Sequence, residues 1–352
     1  MGSVEDLIAF KQIEKYIPED QRESIASAMG MSIEEINRRF VGKRKEDEFI
    51  LILLFLDICK NLTGFDEGIS KLGTQTYTSD LAIELKDGKK FLLEIKHTDK
   101  GKYSISGGNL AKRMDYARSL GLDLYFAISI KGFWMLFPAE YLQTKNGKID
   151  VSDWRHSELD DILGTYGYLF PPKLKIRSVY SKSRDDGVGI THEDYGNLIS
   201  YELSYDGRRI FRVKGENSPY KGYSMILEAL QDRLSTISQD VVKNGDITVV
   251  EEYDNGGQAE DGAVQGFNYI SEYLFLLAPA LHTTHSDDEV KYDTNEIIDA
   301  MKSDEYIPHF QKEYIRGMMH TLVDLGVPMC YLKNNQIYRL PGVKELKKEL
   351  KG

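Results

Sequence analysis

Residues 77–97 have the sequence YTSDLAIELKDGKKFLLEIKH, in which two runs alternate between apolar and polar side chains. The runs meet at Asp87-Gly88, a dipeptide that favours tight turns because glycine tolerates positive φ. The pattern predicts a β-hairpin, and the register we favour places Asp80 opposite Glu94.

That register separates apolar from charged side chains. Leu81 then faces Leu93, and Ile83 faces Phe91. A slip of one residue would mix the apolar and acidic sets on each face, so the pattern itself supports this pairing.

The hairpin is expected to bring together Asp80, Glu94 and Lys96. Directly opposed residues have Cβ atoms about 4.5–5.5 Å apart, so two carboxylates can share one cation. Lys96 lies two residues after Glu94 and points to the same side of the strand. Mg²⁺ accepts one or two carboxylates, keeps several waters and binds phosphate oxygens. The triad therefore suits phosphodiester hydrolysis with Mg²⁺, for which Mn²⁺ is a substitute.

In this hypothesis Lys96 orients or deprotonates the attacking water and offsets the charge of the transition state. The alternative is an exposed hairpin that carries an Asp, a Glu and a Lys on its solvent face, since Glu-x-Lys triplets are common in charged proteins.

The segment after the hairpin continues with a regular order of elements. We expect a helix over 106–117, a buried strand over 124–130 and a further strand over 133–138. This order resembles the core of the PD-(D/E)XK nuclease superfamily, most closely the archaeal Holliday-junction resolvase and Mrr-like branch. Asp80 matches the first acid of that superfamily, and Glu94-Ile95-Lys96 matches its Glu-x-Lys.

The resemblance covers residues 42–142 and implies an α/β (α+β) restriction-endonuclease-like fold, with a central mixed sheet flanked by helices. It also implies a metal-dependent endodeoxyribonuclease. Ser79 replaces the family's proline, and Asn109 stands where a glutamine often begins the helix after the Glu-x-Lys strand.

The family's first core helix often adds a glutamate to the metal site, four residues after a glycine. Gly42 and Glu46 fit that spacing, and Glu48 is the alternative. We expect this helix over 45–62, where its acidic first turn is explained equally well by the helix dipole.

Several basic or amide side chains flank the expected site and are predicted to contact DNA phosphates. They are Lys43, Arg44, Lys100, Lys102, Asn109, Lys112 and Arg113. Charged runs of this kind are also common on solvated surfaces.

The sequence predicts four segments. Residues 1–41 form a helical, helix-turn-helix-like segment with a turn at Gly30 and a cap at Ser32, or else a plain helical hairpin. Residues 42–168 form the nuclease domain, 169–284 a mixed α/β accessory or dimerisation domain, and 285–352 a winged-helix-like domain.

The winged-helix hypothesis rests on a helix over 312–325, followed by a hairpin that turns at Asn334-Asn335. Lys312 and Arg316 are then the exposed residues of a recognition helix, and Lys333 lies at the tip of the wing. Winged helices also mediate protein contacts, so this segment has two possible roles.

Charge and composition limit the classes of function. The net charge of −11 over 352 residues argues against a broad non-specific nucleic-acid-binding surface. Cys59 and Cys330 give neither a disulfide framework nor a zinc spacing, so we expect a reducing, cytoplasmic location. The longest apolar run, 49–56, is too short to span a membrane.

We therefore expect a magnesium-dependent endonuclease of double-stranded DNA, acting as a homodimer in restriction or phage defence, either type II-like or modification-dependent. The additional segments favour an enzyme that reads bases or their modification. The alternatives are a structure-selective repair or recombination nuclease and a non-catalytic DNA-binding protein that keeps the nuclease fold.

Overall fold

The protein is described from a computed structural model. It describes residues 18–28, 30–65, 78–215, 218–228, 237–254, 268–273 and 308–349. The chain divides into two compact units, Met1–Val151 and Ser152–Gly352. This division differs from the expected boundary at 168, while the expected boundary at 284 falls outside the described residues. No helix in the described ranges is both long and apolar enough to cross a membrane.

Two helices begin the described chain, α1 (Glu19–Ala28) and α2 (Ile33–Phe55). The turn between them contains Gly30 at φ +72°. Ser32 caps α2, because its side chain accepts the Glu35 N–H at 3.1 Å. The expected turn and cap are therefore confirmed.

Helix α2 departs from the expected boundaries. It is a single helix of 23 residues, so the expected domain boundary between residues 41 and 42 falls inside it. It ends at Phe55 rather than at residue 62, and strand β1 (Cys59–Gly64) follows. Residues 59–64 pair with the next strand instead of continuing the helix, since pairing satisfies their main-chain groups equally well.

The first unit contains a five-stranded sheet. Its other strands are β2 (Leu81–Leu85), β3 (Lys90–Thr98), β5 (Asp123–Ile130) and β6 (Phe133–Pro138), in the order β1-β2-β3-β5-β6. Strands β3 and β5 are parallel and the other neighbours are antiparallel. The predicted mixed sheet and α+β fold class are confirmed.

The predicted hairpin register is confirmed residue by residue. Leu81 pairs with Leu93, and Ile83 pairs with Phe91. Burial differs from the expectation of one apolar and one solvent face, because residues 91–95 of β3 are all buried. Strand β3 lies inside the sheet with helix α2 against it, so its charged residues lie in a protected environment.

The remaining elements of this unit surround β3 and β5. They are β4 (Lys102–Ser104), α3 (Gly107–Ser119), α4 (Ala139–Thr144) and β7 (Lys148–Asp150). Ser106 caps α3 through the Asn109 N–H at 3.4 Å. Strands β4 and β7 form a separate antiparallel pair that the sequence pattern did not reveal.

The second unit contains two larger sheets. After a 3₁₀ helix (Val151–His156), the chain forms α5 (Leu159–Leu163), β8 (Gly167–Phe170), β9 (Leu174–Ser181), β10 (Thr191–His192), β11 (Gly196–Tyr205), β12 (Arg208–Val213), α6 (Lys221–Glu228), β13 (Ile237–Asn244), β14 (Ile247–Asp254), β15 (Asn268–Ser271), α7 (Pro308–Asp324), β16 (Cys330–Lys333), β17 (Gln336–Arg339) and α8 (Val343–Glu349). One sheet has the order β10-β11-β9-β14-β13 with β12 on β11, and the other has the order β15-β8-β16-β17.

The C-terminal part agrees only partly with a winged helix. The helix α7 and the β16–β17 hairpin are present, and Asn334 and Asn335 both have positive φ at its turn. However, β16 also pairs with β8. The expected wing is therefore an integral part of a four-stranded sheet whose other strands come from residues 167–170 and 268–271.

Candidate active site

The three residues of the expected triad are brought together. Asp80 directly precedes β2, and its Oδ2 accepts the main-chain N–H of Ile95 at 2.6 Å. Lys96 Nζ lies 3.0 Å from Asp80 Oδ2 and 2.9 Å from Glu94 Oε2. One ammonium group therefore bridges the two carboxylates.

Burial makes this cluster unlike a solvated surface. The exposed fractions of the side chains are 2% for Glu94, 9% for Asp80 and 26% for Lys96. Charges removed from water need close partners, because each loses much of its hydration free energy. The arrangement contradicts the alternative of an exposed, structurally idle hairpin face.

The charge state of Lys96 follows from its neighbours. Burial by itself acts to lower the pKa of the ammonium, but the charges of Glu94 and Asp80 and their hydrogen bonds outweigh it. The pKa of Lys96 is therefore raised above the ordinary lysine value, and the side chain stays positively charged throughout the neutral range.

Arg113 is a member of the cluster that we had expected only as a phosphate contact. Its Nε lies 3.2 Å from Glu94 Oε2, and its Nη1 donates to the Asn109 carbonyl at 3.4 Å. Glu94 thus faces two cations, Lys96 and Arg113. The sequence placed Arg113 on the correct helix, but helical periodicity alone does not show which strand residue it meets.

Tyr103, on β4, is a second neighbour that was missed. Burial raises the pKa of its hydroxyl group, and the charges of Lys96, Glu94 and Arg113 act on it. No motif marks this residue, because its approach to the site depends on the pairing of β4 with β7.

The donor set at this cluster fits a small hard cation. In the described part of the chain, Asp80 Oδ1 and Glu94 Oε1 have no hydrogen bond or ion pair, so each carboxylate keeps one oxygen available. The Lys96-bound oxygens lie within about 6 Å of each other because both contact the same nitrogen. Two carboxylates and several waters satisfy Mg²⁺.

The expected third acid is not assembled with them. Among the described residues, no three His, Cys, Asp or Glu side chains form a group able to hold a metal. Glu46 is half-buried on α2, and its role as a ligand stays a prediction. The competing acid, Glu48, accepts from Trp134 Nε1 at 2.9 Å and from Lys45 Nζ at 2.5 Å, so it has a structural role.

The residues of this unit that we expected to contact DNA phosphates differ in their exposure to solvent. Four of them have exposed side chains: Lys100, Lys102, Asn109 and Lys112. Their contact with DNA remains a prediction. The side chains of Lys43 and Arg44 lie outside the described part of the structure. His97, which strand parity turns away from the triad, lies 3.2 Å from Ser129 Oγ.

In the second unit, Lys312 and Arg316 are not the exposed residues that a recognition helix requires. Arg316 contacts both carboxylate oxygens of the fully buried Glu272, at 2.9 and 3.0 Å. Lys312 donates to the Gly164 carbonyl. Both side chains of α7 therefore point toward other residues of the second unit. The buried Glu272 carboxylate requires a positively charged partner, which Arg316 supplies.

The partnership of Arg316 and Glu272 yields a stability prediction. Arg316→Ala is expected to lower the free energy of unfolding by about 3 kcal/mol, because among the described residues the Glu272 carboxylate then keeps only the Tyr168 hydroxyl as a partner. Denaturant titration measures the loss. Arg339→Ala is the control, since its ion pair with Glu345 is exposed and should contribute less than about 0.5 kcal/mol. Equal stabilities for the two variants would contradict the structural role of Arg316.

Comparisons with known proteins give little help. No family model and no curated protein matches the chain. One solved structure that resembles part of it is Hjc from Archaeoglobus fulgidus, described as a Holliday junction resolvase from an archaeal hyperthermophile. The two share 18% sequence identity with a TM-score of 0.30, over 35% of this chain and 100% of that one.

Proposed function

We propose that this chain is a metal-dependent nuclease that hydrolyses phosphodiester bonds in DNA. One observation carries the proposal: two nearly buried carboxylates, Asp80 and Glu94, converge on Lys96, and one oxygen of each has no hydrogen bond or ion pair with any described residue. Because both carboxylates contact the same ammonium nitrogen, they lie close enough together to share one divalent cation.

Each residue has a distinct part in the proposed reaction. Asp80 and Glu94 hold Mg²⁺ or Mn²⁺, and the bound cation supplies Lewis-acid polarisation of a phosphate oxygen. Lys96 donates hydrogen bonds to the phosphate and offsets the charge that grows in the transition state. Its raised pKa favours this electrostatic role over removal of a proton from water. Arg113 keeps the Glu94 carboxylate in position.

The biological role we favour is restriction or phage defence on double-stranded DNA in the cytoplasm, by a homodimeric enzyme. The size of the chain supports this, since residues outside the first unit are available to read bases. A structure-selective repair nuclease is the second candidate, supported only by the sequence resemblance. A non-catalytic DNA-binding protein is disfavoured by the intact triad.

The proposal is tested by cleavage of plasmid, phage and methylated genomic DNA with Mg²⁺, Mn²⁺ or EDTA. We expect discrete fragments that require metal and disappear with Asp80→Ala, which serves as the control for contaminating nucleases. Preference for unmodified or methylated DNA separates the two kinds of restriction enzyme. If only branched DNA is cut, the repair role replaces the defence role, and failure to cut any substrate refutes the nuclease.

A further inference from the structure

The four-stranded sheet of the second unit carries three neighbouring tyrosine rings, Tyr166, Tyr331 and Tyr338, which we call the tyrosine row. Tyr331 and Tyr338 pair across β16 and β17, with ring centroids 5.3 Å apart and planes inclined by 24°. Tyr166, just before β8, lies 5.0 Å from Tyr331. The rings therefore follow one face of the sheet from its interior to its edge.

The outer end of the tyrosine row is open and held in place. Tyr338 is 39% exposed and lies on β17, the terminal strand of the sheet. Its hydroxyl group donates to Gln336 Oε1 at 2.7 Å. This hydrogen bond fixes the ring before any ligand arrives, which lowers the entropic cost of stacking on it.

Basic side chains surround the inner end of the row. Arg316 lies 4.3 Å and Lys333 Nζ 5.2 Å from the centre of the Tyr166 ring. The charge of Arg316 is neutralised by Glu272. Within the described ranges, Lys333 forms no ion pair, and its side chain is exposed.

The carboxylate of Asp161 is held by the main chain at the turn of this hairpin, because it accepts the Asn334 N–H at 2.9 and 3.1 Å. A flat aromatic surface beside the exposed ammonium group of Lys333 complements a ligand that has both a planar ring and a negative charge.

We propose that the tyrosine row binds single-stranded nucleic acid, with an unpaired base on Tyr338 and Tyr331 and the adjoining phosphate held by Lys333. Aromatic residues on an open sheet are suited to unstacked bases. A regular duplex does not fit the row, because its bases stack on each other. This binding is independent of the proposed hydrolysis and is measurable without metal.

The test is fluorescence anisotropy of labelled oligothymidylate and oligouridylate with the full-length protein in EDTA. We expect the wild type to bind an abasic oligonucleotide of the same length about tenfold or more weakly than oligothymidylate, because stacking is lost. Tyr338→Ala should weaken oligothymidylate binding by a similar factor, and Tyr338→Phe, which keeps the ring and loses only the hydrogen bond to Gln336, should weaken it much less. The oligouridylate titration shows whether DNA or RNA is preferred.

Two matched variants serve as controls. Tyr314→Ala removes a tyrosine of similar exposure, 40%, from α7, and Lys344→Ala removes an exposed lysine from α8. Both should bind as the wild type does, while Lys333→Ala should reduce affinity and its dependence on salt. Equal affinity for abasic and thymidine oligonucleotides overturns the proposal even if Tyr338→Ala does not fold. Absence of oligonucleotide binding by the wild type also overturns the proposal and indicates a protein as the ligand of the tyrosine row.

Discussion

Glu94→Gln is expected to reduce the rate of DNA cleavage by at least about a thousandfold, because the substitution removes a proposed ligand charge from the metal site. The measurement is single-turnover cleavage in Mg²⁺. Glu84→Gln, on the neighbouring strand β2, is the control and should cleave at the wild-type rate. Full activity of Glu94→Gln would show that this carboxylate does not hold the metal.

The same position carries a stability effect that an exposed catalytic acid would lack. Glu94→Ala removes the carboxylate that faces both Lys96 and Arg113. We expect a loss of about 2–3 kcal/mol in the free energy of unfolding, because two partly buried cations lose a partner. Denaturant titration in EDTA measures this loss apart from activity.

Lys96→Ala is expected to lower the cleavage rate by about 10²–10³-fold and to leave metal binding in place. The ammonium lies between Asp80 and Glu94, so its removal leaves two carboxylates in mutual repulsion. A divalent cation relieves that repulsion. The thermal stabilisation produced by Mg²⁺ should therefore be larger in Lys96→Ala than in the wild type.

Lys86→Ala is the matched control for this second prediction, since Lys86 is 54% exposed in the turn between β2 and β3. It should keep both the wild-type rate and the wild-type response to Mg²⁺. A rate for Lys96→Ala within a few fold of the wild type would remove Lys96 from the mechanism. A smaller response to Mg²⁺ than in the wild type would show that Lys96 does not compete with the metal for this position.

The hairpin could be predicted because the residues that determine it are close together in the sequence. Alternation of apolar residues fixes which side chains share a face, and Asp87-Gly88 fixes where the chain reverses. The same reasoning gave the helix α3 and the strands β5 and β6. These elements were sufficient to bring the triad together.

Long-range pairing accounts for most of what the sequence did not reveal. The pattern of residues 222–242 predicts an amphipathic helix, whereas the structure has α6 and, in the next described residues, strand β13. The apolar run 267–278 predicts a buried helix, but its described residues begin as strand β15. In both regions an apolar run fits either a helix or a buried strand, and the choice depends on partners remote in sequence.

The two acids and the lysine of the site could be predicted from the sequence, but the residues around them could not. Glu-x-Lys spacing identifies side chains on one face of one strand, whereas Arg113 and Tyr103 reach the cluster from other elements. Lys312 and Arg316 were assigned to a DNA surface because charge alone does not distinguish solvent from a buried partner. Glu272, the acid that Arg316 meets, lay in a stretch that we had interpreted as an apolar helix.

The hydrogen bond from the Ile95 N–H to Asp80 means that the side chain at the middle position of Glu94-Ile95-Lys96 is not needed to orient the acid. Asp80 is oriented by the main chain of residue 95, and every amino acid except proline offers that donor. The Ile95 side chain is 4% exposed, so its contribution is to the packing of the core. Substitution at this position is therefore limited by the volume and polarity of the new side chain. The main-chain N–H of residue 95 would still orient the Asp80 carboxylate.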